Sequence, residues 1–213
     1  MKKSDIPHEV ARVAESLEQA GYEAYLVGGC VRDILLGKLP KDWDFTTNAT
    51  PEQIQKVFPN SFYENDFGTV GVKTNSEDEK LAVVEVTPYR KEGKYSDARR
   101  PDEVTWATTL PEDLERRDFT VNALAYRIAD ETLVDEHGGR EDLQKKTLRA
   151  VGDAQERFAE DALRMMRAVR LSAELGFAIE SDTASAIVSN ASNLGRISKE
   201  RIRDELIRLV ETP

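Results

Sequence analysis

Apolar residues recur at helical spacing through residues 5–20, "DIPHEVARVAESLEQA", at Val10, Val13, Ala14 and Leu17; the pattern predicts an amphipathic helix that stops at Gly21. The next apolar run, "AYLVGG", is short, continuous and rich in strand formers. It predicts a strand, and "CVRDILLG" then predicts one or two turns of helix closed by Gly37. Gly28 and Gly29 therefore fall at a strand-to-helix turn. "WDFTT" reads as a second strand. "TPEQIQKVF" carries the signals of a helix start, with Thr50 as N-cap, Pro51 at the first position and Gln53 near the capping-box site. "GTVGVKT" and "KLAVVEVTPYR", joined by the polar "NSEDE", predict a β-hairpin.

The stretch "KEGKYSDARRPDEVTWATT" has no periodicity and reads as a long loop, of the kind that carries function. From "DLERRDFTVNALAYRI" onward the pattern is mostly helical, apart from a short strand and turn around "LVDEHGG". Residues 153 to 213 read as consecutive helices. The expected architecture is α+β: a mixed domain over residues 1–150 with flanking helices, then an all-helical region over 151–213.

Composition narrows the class. At 213 residues, with 39% hydrophobic and 33% charged content, the chain is long enough to bury a core. Its apolar runs are far shorter than the roughly 20 residues of a membrane span, and "MKKSDIPHEV" has no signal-peptide character. A cytoplasmic protein without membrane contact is expected. Cys30 is the only cysteine, and with His8 and His137 the only histidines, cysteine or histidine metal clusters are excluded. The net charge of −10 argues against a wholly basic nucleic-acid surface but leaves room for local basic patches.

The candidate chemistry lies in oxygen ligands. In an extended segment Asp42 and Asp44 project to one face while Trp43 and Phe45 project to the other. Two such close carboxylates suit a hard divalent cation such as Mg2+, which takes oxygen ligands and fills its remaining positions with water and substrate phosphates. Glu85 stands alone among apolar residues in "LAVVEVT", on a strand that can lie beside this pair. A third carboxylate there completes a metal clamp for in-line phosphoryl transfer. The same residues also fit a surface turn with Glu85 facing water, and Arg32 fits either a phosphate contact or an ion pair with Asp33. In "EDALRMMRAVR", read as one helix, Asp161, Arg164 and Arg167 fall within ~120° of one another and Arg170 at the fringe. Leu163, Met166 and Val169, with Ala162 and Met165, are expected to face the core.

"VGGCVRDILLG", "KDWDF", "ERRDFTVNALAY", "HGGREDLQKKTLRAVGD" and "EDALRMMRAVRLSAELGF" together resemble, in order, the class II tRNA nucleotidyltransferases. These are the CCA-adding enzymes and their bacterial poly(A) polymerase relatives, in the nucleotidyltransferase superfamily that includes DNA polymerase β. The resemblance implies a catalytic head over 1–150 and a helical, nucleotide-selecting neck over 151–213. It implies template-independent addition of CMP, CMP and AMP from CTP and ATP to the 3' end of tRNA. Asp42 and Asp44 are then the Mg2+ ligands, with Glu85 a third catalytic carboxylate. Gly28, Gly29 and Arg32 face the triphosphate, and Arg117, Asp118 and Asn122 the sugar and nucleotide. Glu160, Asp161 and Arg164 read the base edge, because a guanidinium and a carboxylate reproduce the fork of a pairing base. Arg167 and Arg170 help to hold the triphosphate.

Within the family the alternatives are an A-adding enzyme or a poly(A) polymerase; outside it, a non-catalytic nucleotide-sensing or RNA-binding module. The loop after Glu85 favours addition of the terminal adenosine, and its Lys91, Lys94, Arg99 and Arg100 fit either substrate backbone contacts or ordinary surface charge. Arg196, Lys199 and Arg201 read as partners of Glu200, Asp204 and Glu205 in preference to nucleic-acid contacts. Class II enzymes normally continue into a tRNA-gripping body and tail, whereas this sequence stops at Pro213. The expectation is intact nucleotide binding with weak tRNA affinity.

Overall fold

The structure is a computed structural model and describes residues 1–63, 68–92 and 104–212. The chain forms two compact units. The first holds Met1–Lys91, Thr105–Leu114 and Asn122–Glu136, and the second is built mainly from Glu115–Val121 and His137–Pro213. This interleaved division differs from a single cut near residue 150. Its cause is local: Thr120 N donates to Arg149 O at 2.9 Å, Val151 N to Asp118 O at 3.1 Å and Thr120 Oγ1 to Asp142 Oδ2 at 2.7 Å.

The first unit runs α1 (His8–Gln19), β1 (Tyr25–Val27), α2 (Gly29–Leu35), β2 (Asp44–Thr47), α3 (Pro51–Val57), β3 (Ser61–Tyr63), β4 (Val70–Lys73), α4 (Glu79–Ala82) and β5 (Val83–Pro88). Two short strands, β6 (Arg90–Glu92) and β7 (Val104–Trp106), lie between β5 and α5 (Leu110–Glu115) in sequence, and β8 (Leu124–Arg127) and β9 (Thr132–Asp135) complete it. Seven strands form one sheet in the order β3-β4-β5-β2-β1-β8-β9, with β2 and β5 parallel and the other pairs antiparallel. One face carries Leu26, Phe45, Val86 and Val70 as fully buried cross-strand neighbours. Each such side chain contributes about 1.5–3 kcal/mol by leaving water. α3, whose Ile54 is fully buried, packs against β4 and β5. On the other face, Leu110 and Leu114 of α5 cluster with Val27, Tyr89, Ala107 and Ala125.

The Thr50 capping box is present, with Gln53 N donating to Thr50 Oγ1 at 3.3 Å and Thr50 N to Gln53 Oε1 at 2.8 Å. The predicted hairpin is β4–β5, with the one-turn α4 in its connection. "NALAYRI" departs from its helical reading: Leu124–Arg127 is an inner strand, paired on both sides. Its alanine and leucine favour helix only weakly, and burial within the sheet overrides that preference. Earlier in the same stretch read as helical, Thr120–Asn122 forms only a single 3-10 turn. β3 has no counterpart in the predicted elements.

The second unit holds α6 (Gly139–Lys145), β10 (Thr147–Leu148), α7 (Ala154–Glu160), α8 (Leu163–Leu175), β11 (Ala178–Ile179), α9 (Ser181–Asn190) and α10 (Lys199–Val210). It is not all-helical, because β10 and β11 pair in parallel. "EDALRMMRAVR" is not one helix either. α7 ends at Glu160, Asp161 is extended at φ −135° and ψ 102°, and its Oδ1 accepts from Leu163 N at 3.0 Å to start α8. An aspartate that bonds the local backbone ends one helix and opens the next. The buried side of α8 is Leu163, Arg164, Met165, Ala168 and Leu171, so Arg164 lies inside and Val169, expected in the core, is exposed.

Glu180 caps α9, accepting from Thr183 N at 2.9 Å and Thr183 Oγ1 at 3.0 Å. Burial raises its carboxyl, but the N–H groups of Thr183 and Asp182 and the Thr183 and Ser181 hydroxyls outweigh that and hold it down to about 2 from 4.5. A depressed folded-state value means stability present above pH 4.5 and lost as pH falls from 4.5 towards 2. Thermal unfolding of the parent chain and Glu180→Gln is expected to show a gap at pH 6 that narrows steadily as pH falls from 4.5 towards 2. A gap independent of pH would contradict this capping account.

Candidate active site

In the first unit, β1 leads directly into Gly28, whose φ of 79° and ψ of −135° are open to glycine and strained for any L side chain. Gly28 N donates to Leu124 O at 3.3 Å, which fixes the turn to the sheet. Gly29 is different. Its backbone demands no glycine, and an added Cβ would meet only Arg32 Nη2 at 3.6 Å, an ordinary contact. Cys30 beneath the turn is fully buried, and that burial pushes its thiol up to about 12, so it serves as packing and not as a nucleophile.

Arg32 is buried and makes the ion pair with Asp33, its Nη2 2.7 Å from Asp33 Oδ1, while its Nη1 donates to Asn122 Oδ1 at 2.8 Å. The structure thus brings together two residues 90 positions apart in sequence.

Trp43 and Phe45 are buried, Asp42 is exposed and Asp44 half-buried, as the alternation predicts. The strand begins at Asp44, however, and Asp42 lies in the bend before it. The parallel pairing of β2 with β5 sets Asp44 beside Glu85 in register, and Glu85 N donates to Trp43 O at 3.0 Å. Adjacent in-register positions share a face, so the two residues project to the same side from backbone positions about one strand spacing, ~5 Å, apart. Among the described residues, no group of three or more His, Cys, Asp or Glu is arranged to hold a metal ion. The donor set is an in-register pair of hard oxygens with Asp42 at its edge, which fits a cation that draws its remaining ligands from substrate phosphate and water.

In the second unit the arginines meet acids. Arg167 Nη2 lies 2.6 Å and its Nε 2.9 Å from Asp118 Oδ2, and the Asp118 charge raises the Arg167 guanidinium still further. Arg164 Nη1 donates to Glu160 Oε2 at 2.7 Å and Nη2 to Arg116 O at 3.1 Å. Arg170 bonds Glu205 at 2.7 Å and Glu174 at 2.9 Å. Arg117 is half-buried. Asp161 receives Arg201 Nη2 at 2.8 Å, a pairing with α10 that the sequence did not reveal; Arg201 was expected to pair within its own helix. Arg157, which bonds Glu160 at 3.1 Å, was also missed. A basic residue three positions before an acid on one helix face is the signal that could have found it. Lys91 pairs with Glu112 at 3.5 Å, while Lys94, Arg99 and Arg100 lie outside the described residues. No helix of the described residues is long and apolar enough to cross a membrane.

The sequence pattern of the family described as "Poly A polymerase head domain" matches residues 24–149, and that of "Probable RNA and SrmB- binding site of polymerase A" matches residues 176–213. A CCA-adding enzyme of Leuconostoc mesenteroides subsp. mesenteroides is 48% identical over 99% of this chain and 52% of its own length. The Bacillus stearothermophilus CCA-adding enzyme, solved in complex with CTP, superposes with a TM-score of 0.86 at 42% identity, over 98% of this chain and 50% of that one. A tRNA nucleotidyltransferase solved with a primer tRNA and an incoming ATP analog gives a TM-score of 0.74 at 30% identity, over 94% of this chain and 58% of that one. The chain spans about half the length of the curated relatives it matches. Nucleotidyltransferases of this kind typically use a divalent metal. The mixed sheet with flanking helices is the nucleotidyltransferase head fold, and the chain belongs to the family of the poly(A) polymerase head domain.

Proposed function

We propose that the chain carries the catalytic head (residues 1–150) and the nucleotide-selecting neck (151–213) of a CCA-adding tRNA nucleotidyltransferase, transferring CMP, CMP and AMP from CTP and ATP to the 3' end of tRNA. The observation that carries the proposal is the register of Asp44 with Glu85 one strand away from the β1–Gly28 turn, in a chain similar to CCA-adding enzymes along its whole length.

Asp42, Asp44 and Glu85 would hold Mg2+, which when bound activates the terminal hydroxyl and offsets the charge of the leaving pyrophosphate. Gly28 and Gly29 let backbone approach the triphosphate, with Arg32 held ready beside them by Asp33 and Asn122. Arg117, Asp118 and Asn122 bind sugar and nucleotide. Glu160, Asp161 and Arg164 present a fixed donor and acceptor edge to the base: Arg164 is oriented by Glu160 and the Arg116 carbonyl, and Asp161 by Arg201. Arg167 acts beside Asp118, and Arg170 anchors α8 to α10. Catalysis is then positioning and electrostatics, with no covalent intermediate on the protein.

Calorimetry of the 213-residue chain with the four nucleoside triphosphates tests the selecting edge. CTP and ATP are expected to bind about tenfold more tightly than UTP and GTP, the order of discrimination one fork contact gives a base edge. Arg164→Ala is expected to erase most of that difference. Equal binding of all four by the parent chain would contradict the proposal.

A further inference from the structure

One cross-strand row runs through the candidate site and ends in an aromatic ring. Phe62 of β3 pairs with Gly71 of β4, Gly71 with Glu85 of β5, and Glu85 with Asp44 of β2. Residues in register on neighbouring strands share a face, so the ring belongs to the same face as the two carboxylates. Towards β1 and β8 this face is covered by the apolar cluster of α5. Towards β3 it carries Phe62, which is 37% exposed.

The ring lies down on the sheet. A Cβ built on Gly71 would stand 2.6 Å from Phe62 Cζ and 2.9 and 3.0 Å from its Cε1 and Cε2. Gly71 has no positive φ, so its conformation does not require glycine; the missing side chain makes room for the ring. Lying over Gly71, the ring is about one strand spacing, ~5 Å, from the Glu85 position. Lys73, two residues along β4 and hence on the same face, places its Nζ 5.6 Å from the ring centroid. The ammonium lies over the ring and would turn to the phosphate of a base that stacks there, the aromatic and cationic pairing that single-stranded nucleic acid uses.

Strand order says which substrate it meets. The glycine turn assigned to the triphosphate follows β1, on the side of β2 away from β5. An in-line displacement sets the attacking oxygen opposite the leaving pyrophosphate. The attacking 3' hydroxyl therefore enters from the β5–β4–β3 side, where Phe62 lies. We propose that Phe62, held flat by Gly71 and flanked by Lys73, is a stacking platform for the terminal base of the RNA acceptor strand. The inference rests on the function proposed above and adds a contact to the RNA substrate that is independent of the residues assigned to the nucleotide.

The test uses the 213-residue chain and an acceptor-stem RNA hairpin whose single-stranded 3' end carries 2-aminopurine, a base whose fluorescence is quenched on stacking. The parent chain is expected to quench it. Phe62→Ala should lose the quench and bind the hairpin about tenfold more weakly, and Phe62→Trp should restore both. Gly71→Ala should behave like Phe62→Ala because its methyl takes the place of the ring. CTP affinity by calorimetry should be unchanged in all three. Unaltered quenching and RNA affinity in Phe62→Ala, no RNA binding by the parent chain, or a loss of CTP affinity in Phe62→Ala would each overturn the platform. A hairpin that is stacked by Phe62 but never extended would instead count against the nucleotidyl-transfer reading, and equal extension by Phe62→Ala against the platform alone.

Discussion

An Asp44→Asn variant is expected to transfer nucleotides about 10³-fold more slowly than the parent chain, a loss on the order of 4 kcal/mol of transition-state stabilisation. Asn matches Asp in shape, and position 44 is half-buried at the start of β2, so the strand and its pairing with β5 are kept. What changes is charge. Asp44 and Glu85 form an in-register pair of carboxylates, and removing one of these charges would weaken the hold of the site on a divalent cation. The melting temperature should move by no more than about 2 °C, within the range of a surface substitution. Steady-state incorporation of labelled CTP into RNA, with circular dichroism melting alongside, separates the two effects. An Asp44→Asn variant with near-parental rate would remove Asp44 from the catalytic set.

The second large effect falls on stability. Arg170→Met is expected to cost about 3 kcal/mol, seen as a drop of roughly 9 °C in melting temperature for a chain of this size. Glu205 of α10 is 5% exposed, and Arg170 Nε is its close partner at 2.7 Å; Arg167 and Arg208 stand off at 3.8 Å. Without Arg170 a buried carboxylate keeps only the distant cations. One side of the neighbourhood is apolar, since Met165, Met166, Leu194 and Leu209 line the same cavity as Glu205, and Glu174, the second partner of Arg170, is partly exposed to water. Replacing both partners, Arg170→Met with Glu205→Leu, is therefore expected to recover most of the loss, because a well-packed apolar pair can match a buried ion pair. A double variant as unstable as the single one would show that the ion pair is not what joins α8 to α10.

Local signals were legible in the sequence wherever the local chemistry decides. Thr50, Pro51 and Gln53 start α3 because the capping box is satisfied within one turn. The β4–β5 hairpin follows from two alternating runs around a polar connection. Even the neighbourly relation of Asp44 and Glu85 was readable, since an acid isolated in an apolar strand needs a polar reason to be there. Features set at a distance were not. Leu124–Arg127 is a strand because β1 and β9 flank it, and nothing within "NALAYR" says so. The break at Asp161 interrupts a sequence with unbroken helical spacing, and it is stabilised by Leu163 N locally and by Arg201 from 40 residues away. Arg167 was placed near the nucleotide by resemblance; its partner Asp118, 49 residues earlier, is visible only in the folded chain. Phe62 drew no notice because β3 has three residues and little pattern, and the meaning of its ring depends on a glycine in the next strand.

The central claim is tested most directly by the base-by-base composition of the product. The purified 213-residue chain is incubated with Mg2+, CTP, ATP and tRNA lacking its 3' end, and the extended RNA is sequenced at that end. The account predicts two cytidines followed by one adenosine, with addition stopping there. A single adenosine without cytidine, or an open-ended run of adenosines, would contradict it.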